Sequence, residues 1–413
     1  MATLENVTPS YRTALLPTDT PESVPARSSS RRVKTRRVHY FPGFDPRGAR
    51  FYHQLYQEEA PKQAALNGAE FEVSKRERIN AHVSCWSIKA RWKKQTVMTA
   101  YEFMGWDDLI RRDWDASLLR LGARAIRYYV GATVLGIFRH MLKVSPGPLK
   151  VALFPLAYIA GWFMVTLLVF LRAWALVAFA SSNQLMGQAT GFLLAMLLGW
   201  WAMRRGERRG VLWILRTSVF TYEWGGRPNP ALEKRMDEMA NRIWNEQRTH
   251  PVDEVLLVGH CIGAVVAVGV AARLVRRSQQ ELLPPGISLL TLAHCIPYVS
   301  FNPAAQTVRR DLETLAQDDL IPWLDGTAAP DPMCFFKIDP VRSAGLKPFY
   351  VDRPKQFTVR LYQMFSPAAY AKLKRDRLRL HFQYLMASEL LGGYDYFRLT
   401  AGPEELAAMK GRS

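Results

Sequence analysis

The chain has little of several things, and each scarcity removes a class of function. Four cysteines in 413 residues, Cys85, Cys261, Cys295 and Cys334, stand at no metal-ligand spacing. That excludes a disulfide framework or zinc finger and predicts free thiols in a reducing compartment. No charged start followed by an apolar core and a cleavage site opens the sequence, so no signal peptide is expected. There is no Walker phosphate loop and no Gly-x-Gly-x-x-Gly turn after a strand, and no cofactor or metal is expected. Internal repeats are absent. Acidic residues are few: 36 Asp and Glu face 55 Lys and Arg, for a net charge of +19. Such an excess calls for an anionic partner, either nucleic acid or an acidic lipid surface.

What is abundant decides between those two. From Val151 to Leu171 no residue carries a formal charge, which is long enough to cross a hydrocarbon core of about 30 Å. Arg172 interrupts, and a second uncharged run from Ala173 to Met203 contains the polar break "SSNQ". The pattern predicts a transmembrane helical hairpin over residues 146–205, turning near 181–188. The alternative, two buried core helices, fits uncharged runs of this length poorly. Arg139, Lys143 and Lys150 precede the hairpin, Arg204, Arg205, Arg208 and Arg209 follow it, and the turn is uncharged. Both flanks are therefore expected in the cytoplasm, as a multi-pass protein of the cell membrane. The partner is then the lipid bilayer rather than nucleic acid. Trp162, Trp200 and Trp201 suit interfacial depth, with Trp162 alternatively packed inside the hairpin, and Arg172 must snorkel or face protein.

Residues 1–37, rich in Ser, Thr and Pro and ending in "RRVKTRR", read as a disordered basic arm suited to anionic headgroups or to plain solvation. Structure is expected from Val38: a strand in "VHYF", a turn, and a helix from about Ala49. Strands are predicted at "EFEVSK", "HVSCWSIKA" and "TAYEFMGW", then an Arg-rich amphipathic helix at about 114–142. After the hairpin come a charged helix at 230–248, the strand "EVLLVGH", and further strands at "ISLLTLAH" and "MCFFKID". Strands alternating with helices predict an α/β fold with a mostly parallel sheet covered on both faces. Residues 38–145 and 206–400 form its two parts, and 401–413 a tail.

The stretch "VDEVLLVGHCIGAVVAVGVAARL" runs from an apolar strand through Gly259-His260-Cys261-Ile262-Gly263 into a helix of small residues. Together with the turn "FPGFD" at 41–45, "GHCIGA" resembles the nucleophile elbow of the α/β-hydrolase superfamily, with cysteine where serine is usual. The box is similar to those of dienelactone hydrolases and polyhydroxyalkanoate synthases. The resemblance covers about a fifth of the chain, and a membrane hairpin is foreign to both families. It implies a Cys261 nucleophile, a later acid and a still later histidine. Asp331, Asp339 and Asp325 are the acid candidates, with Asp331 preferred because Asp331-Pro332 resembles the loop after a late strand. His381 keeps the chain order and His294 breaks it. The resemblance also implies an oxyanion hole from the backbone N–H groups of Phe44 and Ile262, with Pro42 where a histidine often stands. Asp45 and Arg47 brace that turn or touch an acidic group, and His260 packs. The expected function is a membrane-anchored hydrolase acting on an ester or thioester. The alternatives are an acyltransferase or polyester synthase, and a hydrolase-fold membrane protein without catalysis.

Overall fold

The computed structural model describes residues 32–93, 95–114, 117–350 and 352–408. The arm up to residue 31 and the tail beyond 408 lie outside the described residues. Among the described residues nine strands form one sheet: β1 Thr35–Phe41, β2 Ala69–Val73, β3 Glu77–Arg78, β4 Val83–Trp92, β5 Gln95–Met104, β6 Glu254–His260, β7 Ile287–Leu292, β8 Trp323–Thr327 and β9 Lys355–Thr358. Their order is β2-β4-β5-β1-β6-β7-β8-β9, with β3 on β4. The pairs from β5 to β9 are parallel, and β2, β3 and β5 pair with β4 antiparallel. The chain is thus an α/β protein with a mostly parallel mixed sheet, as the alternation of strands and helices predicted.

β6 shows why the central strands read as unbroken apolar runs. Val255 and Leu257 enter the core on one face, with helices Pro230–Thr249, Gly263–Ser278 and Gln306–Gln317. Leu256 and Val258 enter the core on the other face, beneath helix Gly48–Asn67. A strand buried on both faces has no polar side to alternate with. Each such side chain contributes about 1.5–3 kcal/mol. The chain leaves β1 for the β2–β5 edge and returns at β6, so the strand order reverses beside β1, where open α/β sheets form a crevice at their carboxyl ends.

Three elements differ from the sequence reading. β1 begins at Thr35, three residues inside the expected arm. Arg36, 1% exposed, bonds Glu254 of the neighbouring strand at 2.8 and 2.6 Å and the carbonyls of Gly402 and Glu404 at 2.7 Å each. Its charge is consumed inside the protein, and it also fastens residues expected to be tail. The strand expected at "MCFFKID" is a loop in which Cys334 and Phe335 are buried. The sheet continues instead through "WLDGT", whose Asp-Gly pair signals a turn. Asp325 escapes that signal because Thr291 Oγ1 on β7 donates to it at 2.7 Å. The helix expected at about 114–142 is two, Leu118–Val134 and Ile137–Val144, parted at Gly136 with φ +69°.

Two helices, Pro146–Ser181 and Gln184–Arg208, are long and apolar enough to cross a membrane. They meet at Ser182–Asn183, within the expected turn, and Asn183 caps the second helix. Tyr158 donates to the Ala202 carbonyl at 2.8 Å, and Trp162 packs against Trp201 with ring centroids 5.3 Å apart. Arg172 is exposed on the outer surface of the first helix. The hairpin is rooted in a third core, where Leu149 and Ala152 join Leu121, Met141, Leu215 and Phe335.

Candidate functional site

Cys261 stands between the end of β6 and helix Gly263–Ser278, with φ +58°. A left-handed backbone at a non-glycine residue costs of order 1–3 kcal/mol and persists only where surrounding packing imposes it. Here both elbow glycines are required by contact. A Cβ on Gly259 would lie 2.6 Å from the Ala264 Cα, and one on Gly263 would lie 2.1 Å from the Phe41 carbonyl oxygen. The turn after β1 is therefore pressed onto the elbow. A Cβ on Gly43 in that turn would sit 3.0 Å from the Cys261 Cβ and 3.5 Å from its Sγ. Cys261 donates its own N–H to the Leu292 carbonyl at 3.0 Å, so it takes no part in stabilising an anion at Sγ. Among the described residues, the Phe44 N–H has no acceptor in the protein.

His381 and Asp331, preferred from their order in the chain, come together. His381 Nδ1 lies 2.8 Å from Asp331 Oδ2, and Asp331 Oδ1 accepts from the Met333 N–H at 3.0 Å. The other ring nitrogen of His381, Nε2, is buried without a partner in the protein. One ring nitrogen of His381 and the sulfurs of Cys261 and Cys295 lie within 4.8 Å of one another. The competing acids are elsewhere. Asp339 caps the short helix Pro340–Ser343, and Asp325 is held by Thr291 and Gln356 beside His294.

The electrostatics favour an ion pair at Cys261. The Cys295 sulfur, 3.6 Å away, lowers the Cys261 pKa most; burial opposes this, while His381 and the Ile262 N–H add to the lowering, so the thiol lies below its ordinary value. Burial lowers His381, but Asp331 and Cys261 outweigh it and hold the imidazole well above its ordinary value. Burial likewise raises Asp331, yet His381 and the Met333 N–H keep its carboxyl below the usual range. His260 is pushed down to about 3 by burial and by the charge on His381, and stays neutral. Its Nε2 bonds the His381 carbonyl at 3.0 Å, so it fixes the backbone of the catalytic candidate as well as packing. Asp45 is a brace: it accepts from the Arg47 N–H and guanidinium and from Tyr52 Oη.

A cavity of about 880 Å³ opens over Cys261 and is lined by Phe44, Ile262, Cys295 and His381, with Phe154 from the root of the hairpin. Cys295 was missed in the sequence, although a signal was there. Both β6 and β7 lead into His-Cys-Ile, at 260–262 and 294–296, and adjacent parallel strands bring the two cysteines together. The trio Cys261, Cys295 and His381 has the atom types of a metal site, as does the buried group His39, Glu102 and Glu246. In the second group Arg242 bonds both carboxylates and already supplies the positive charge. The chain matches no family model, no curated protein and no solved structure.

Proposed function

We propose that the protein is a membrane-anchored hydrolase of the α/β-hydrolase type, acting on acyl esters or thioesters through Cys261, His381 and Asp331. The observation that carries the reading is the strained elbow: a thiol at φ +58°, facing an imidazole oriented by a carboxylate and a cavity of about 880 Å³. In the resting pair the thiolate attacks the carbonyl carbon, and a C–S bond forms as the π electrons move onto oxygen. The N–H groups of Phe44 and Ile262 receive that oxyanion. His381 gives its Nε2 proton to the departing alcohol or thiol, leaving an acyl thioester on Cys261. Water, deprotonated by His381, then attacks the thioester, releases the acid and restores the ion pair. Asp331 holds the imidazole tautomer throughout. An alcohol or amine acceptor in place of water would give acyl transfer by the same steps.

The two apolar helices support anchoring. The uncharged run Val151–Leu171 gives about 30 Å of helix, the thickness of a hydrocarbon core, and ends before Arg172. Basic residues flank both ends of the hairpin, so the hydrolase domain would lie on the cytoplasmic side. Extraction of the full chain by carbonate without detergent would contradict this.

The enzymatic reading is tested by competition among the thiols. Cys261 should be carbamidomethylated by iodoacetamide at neutral pH well before Cys85, Cys295 and Cys334, as followed by mass spectrometry. A Cys261 that reacts only after denaturation is an inert thiol, and the proposal fails.

A further inference from the structure

The cavity lining divides by chemistry. Its apolar part includes Val151 and Phe154 from the first hairpin helix, Trp213 and Ile214 from helix Val211–Gly226, and Tyr298 and Phe382. Six other lining residues are cations. Lys150, Arg208 and Arg209 stand where the hairpin joins the domain, and Lys372, Arg375 and Arg377 belong to the short helices Pro367–Arg375 and Arg377–Phe382. All six are exposed. Two acids also line the cavity: Asp45 is held by Arg47 and Tyr52, while Asp376 accepts the Arg379 N–H and keeps its negative charge.

These exposed cations differ from six buried or half-buried arginines elsewhere in the protein. Arg36, Arg124, Arg235, Arg242, Arg273 and Arg276 each bond a carboxylate. Among the described residues, none of the six cavity cations does. Gathering like charges around one opening costs free energy through mutual repulsion. Asp376, between Arg375 and Arg377, offsets one of these charges, and an anionic ligand group would offset more. Arginine and lysine together suit phosphate, one through a planar fork of donors and the other as a compact charge.

We infer that the site takes an acyl ester or thioester bearing a phosphate group, the acyl chain lying along the apolar wall toward Cys261 and the phosphate on the cationic collar. The inference rests on Cys261 as the nucleophile and on the hairpin as a membrane anchor. Two sources share the chemistry: a phospholipid of the adjacent leaflet, and a soluble acyl thioester of a phosphorylated carrier.

The test uses full-length Cys261→Ala protein in a neutral detergent, so that binding is read without turnover. Three probes are titrated: dioctanoylphosphatidic acid, octanoyl-coenzyme A, and dioctanoylglycerol, which has the chains without the phosphate. At least one phosphate probe should bind about ten-fold more tightly than dioctanoylglycerol, and the gap should narrow as salt is raised. Adding Lys372→Glu, Arg375→Glu and Arg377→Glu should abolish the gap. These positions are exposed, and circular dichroism checks that the fold survives. Preference for phosphatidic acid identifies the bilayer as the source, and preference for the thioester identifies a soluble carrier. Equal binding of all three probes, unaffected by salt, overturns the inference and leaves the Cys261 chemistry untouched. A phosphate preference in a protein whose Cys261 resists iodoacetamide supports the collar and overturns the proposed reaction.

Discussion

Two adjacent parallel strands lead into the same three residues, and the two turns differ in nearly everything else. At the end of β6, His260-Cys261-Ile262 puts the cysteine in the left-handed region, beside a cavity, with its pKa lowered. Beyond β7, His294-Cys295-Ile296 buries its cysteine to 2% exposure and pushes that thiol well above its ordinary value, burial being the main cause. The histidine–acid pairs contrast in the same way. His381 meets Asp331, whose carboxyl is held low by the imidazole. His294 has Asp325 at 3.5 Å, but burial outweighs that partner and raises the Asp325 carboxyl. Residue identity therefore does not make the site. A left-handed backbone at the cysteine itself and an open wall distinguish the candidate copy from the packed one; in the second turn the positive φ falls on Ala293, and His294 Nδ1 is likewise buried without a partner.

The contrast should be sharpest in turnover. Cys261→Ala is expected to end hydrolysis of an octanoyl thioester, a loss of about 10⁴-fold or more, with Cys261→Ser keeping a residue of activity because the same base can activate a hydroxyl. Cys295→Ala should leave turnover at neutral pH within about ten-fold. Equal losses for the two alanines, measured on folded protein, would break the comparison.

Next in size is the pair of acids. Asp331→Asn should lower turnover by about 10²- to 10⁴-fold through the wrong imidazole tautomer. Asp325→Asn, and likewise Asp339→Asn, should leave the rate within a few-fold. If Asp331→Asn is fully active and Asp339→Asn is not, the acid is misassigned.

A smaller effect sharpens the link between the sulfurs. Thiolate forms as pH rises through the thiol pKa, so alkylation of Cys261, whose pKa is lowered, should set in at lower pH than for a free thiol, whereas Cys85, raised to about 12, stays slow. Cys295→Ala removes the sulfur contact that lowers Cys261 most. Its alkylation profile should move to higher pH, and an unmoved profile would assign the lowering to His381 alone.

The smallest expected effect is on stability against pH. Asp331 has a folded pKa below its unfolded one, so it stabilises above the unfolded value near 4 and loses that contribution as pH falls through the folded value. Asp325 is raised, so its contribution has the opposite sign and destabilises as pH rises above about 4. From pH 3 to pH 7, melting temperatures should show the parent gaining on Asp331→Asn and losing to Asp325→Asn.

The sequence by itself determined what is local or ordered along the chain. Gly259 to Gly263 announced the elbow because close backbone approach admits no Cβ there, and the uncharged runs on either side of Arg172 announced two long helices turning at Ser182–Asn183. Chain order alone brought Asp331 and His381 forward. Tertiary structure decided everything that depends on residues far apart in sequence. It drew Arg36 out of the expected arm into β1, because Glu254 lies beside it in the neighbouring strand. It made a strand of "WLDGT" and a loop of "MCFFKID", because β7 offers Asp325 a buried donor that the turn signal cannot anticipate. It set Cys295 3.6 Å from Cys261 and gathered cations from residues 150 to 377 around one opening. Periodicity and spacing record the local backbone, whereas a pKa or a binding wall is made by whichever distant groups the folded chain brings within a few ångströms.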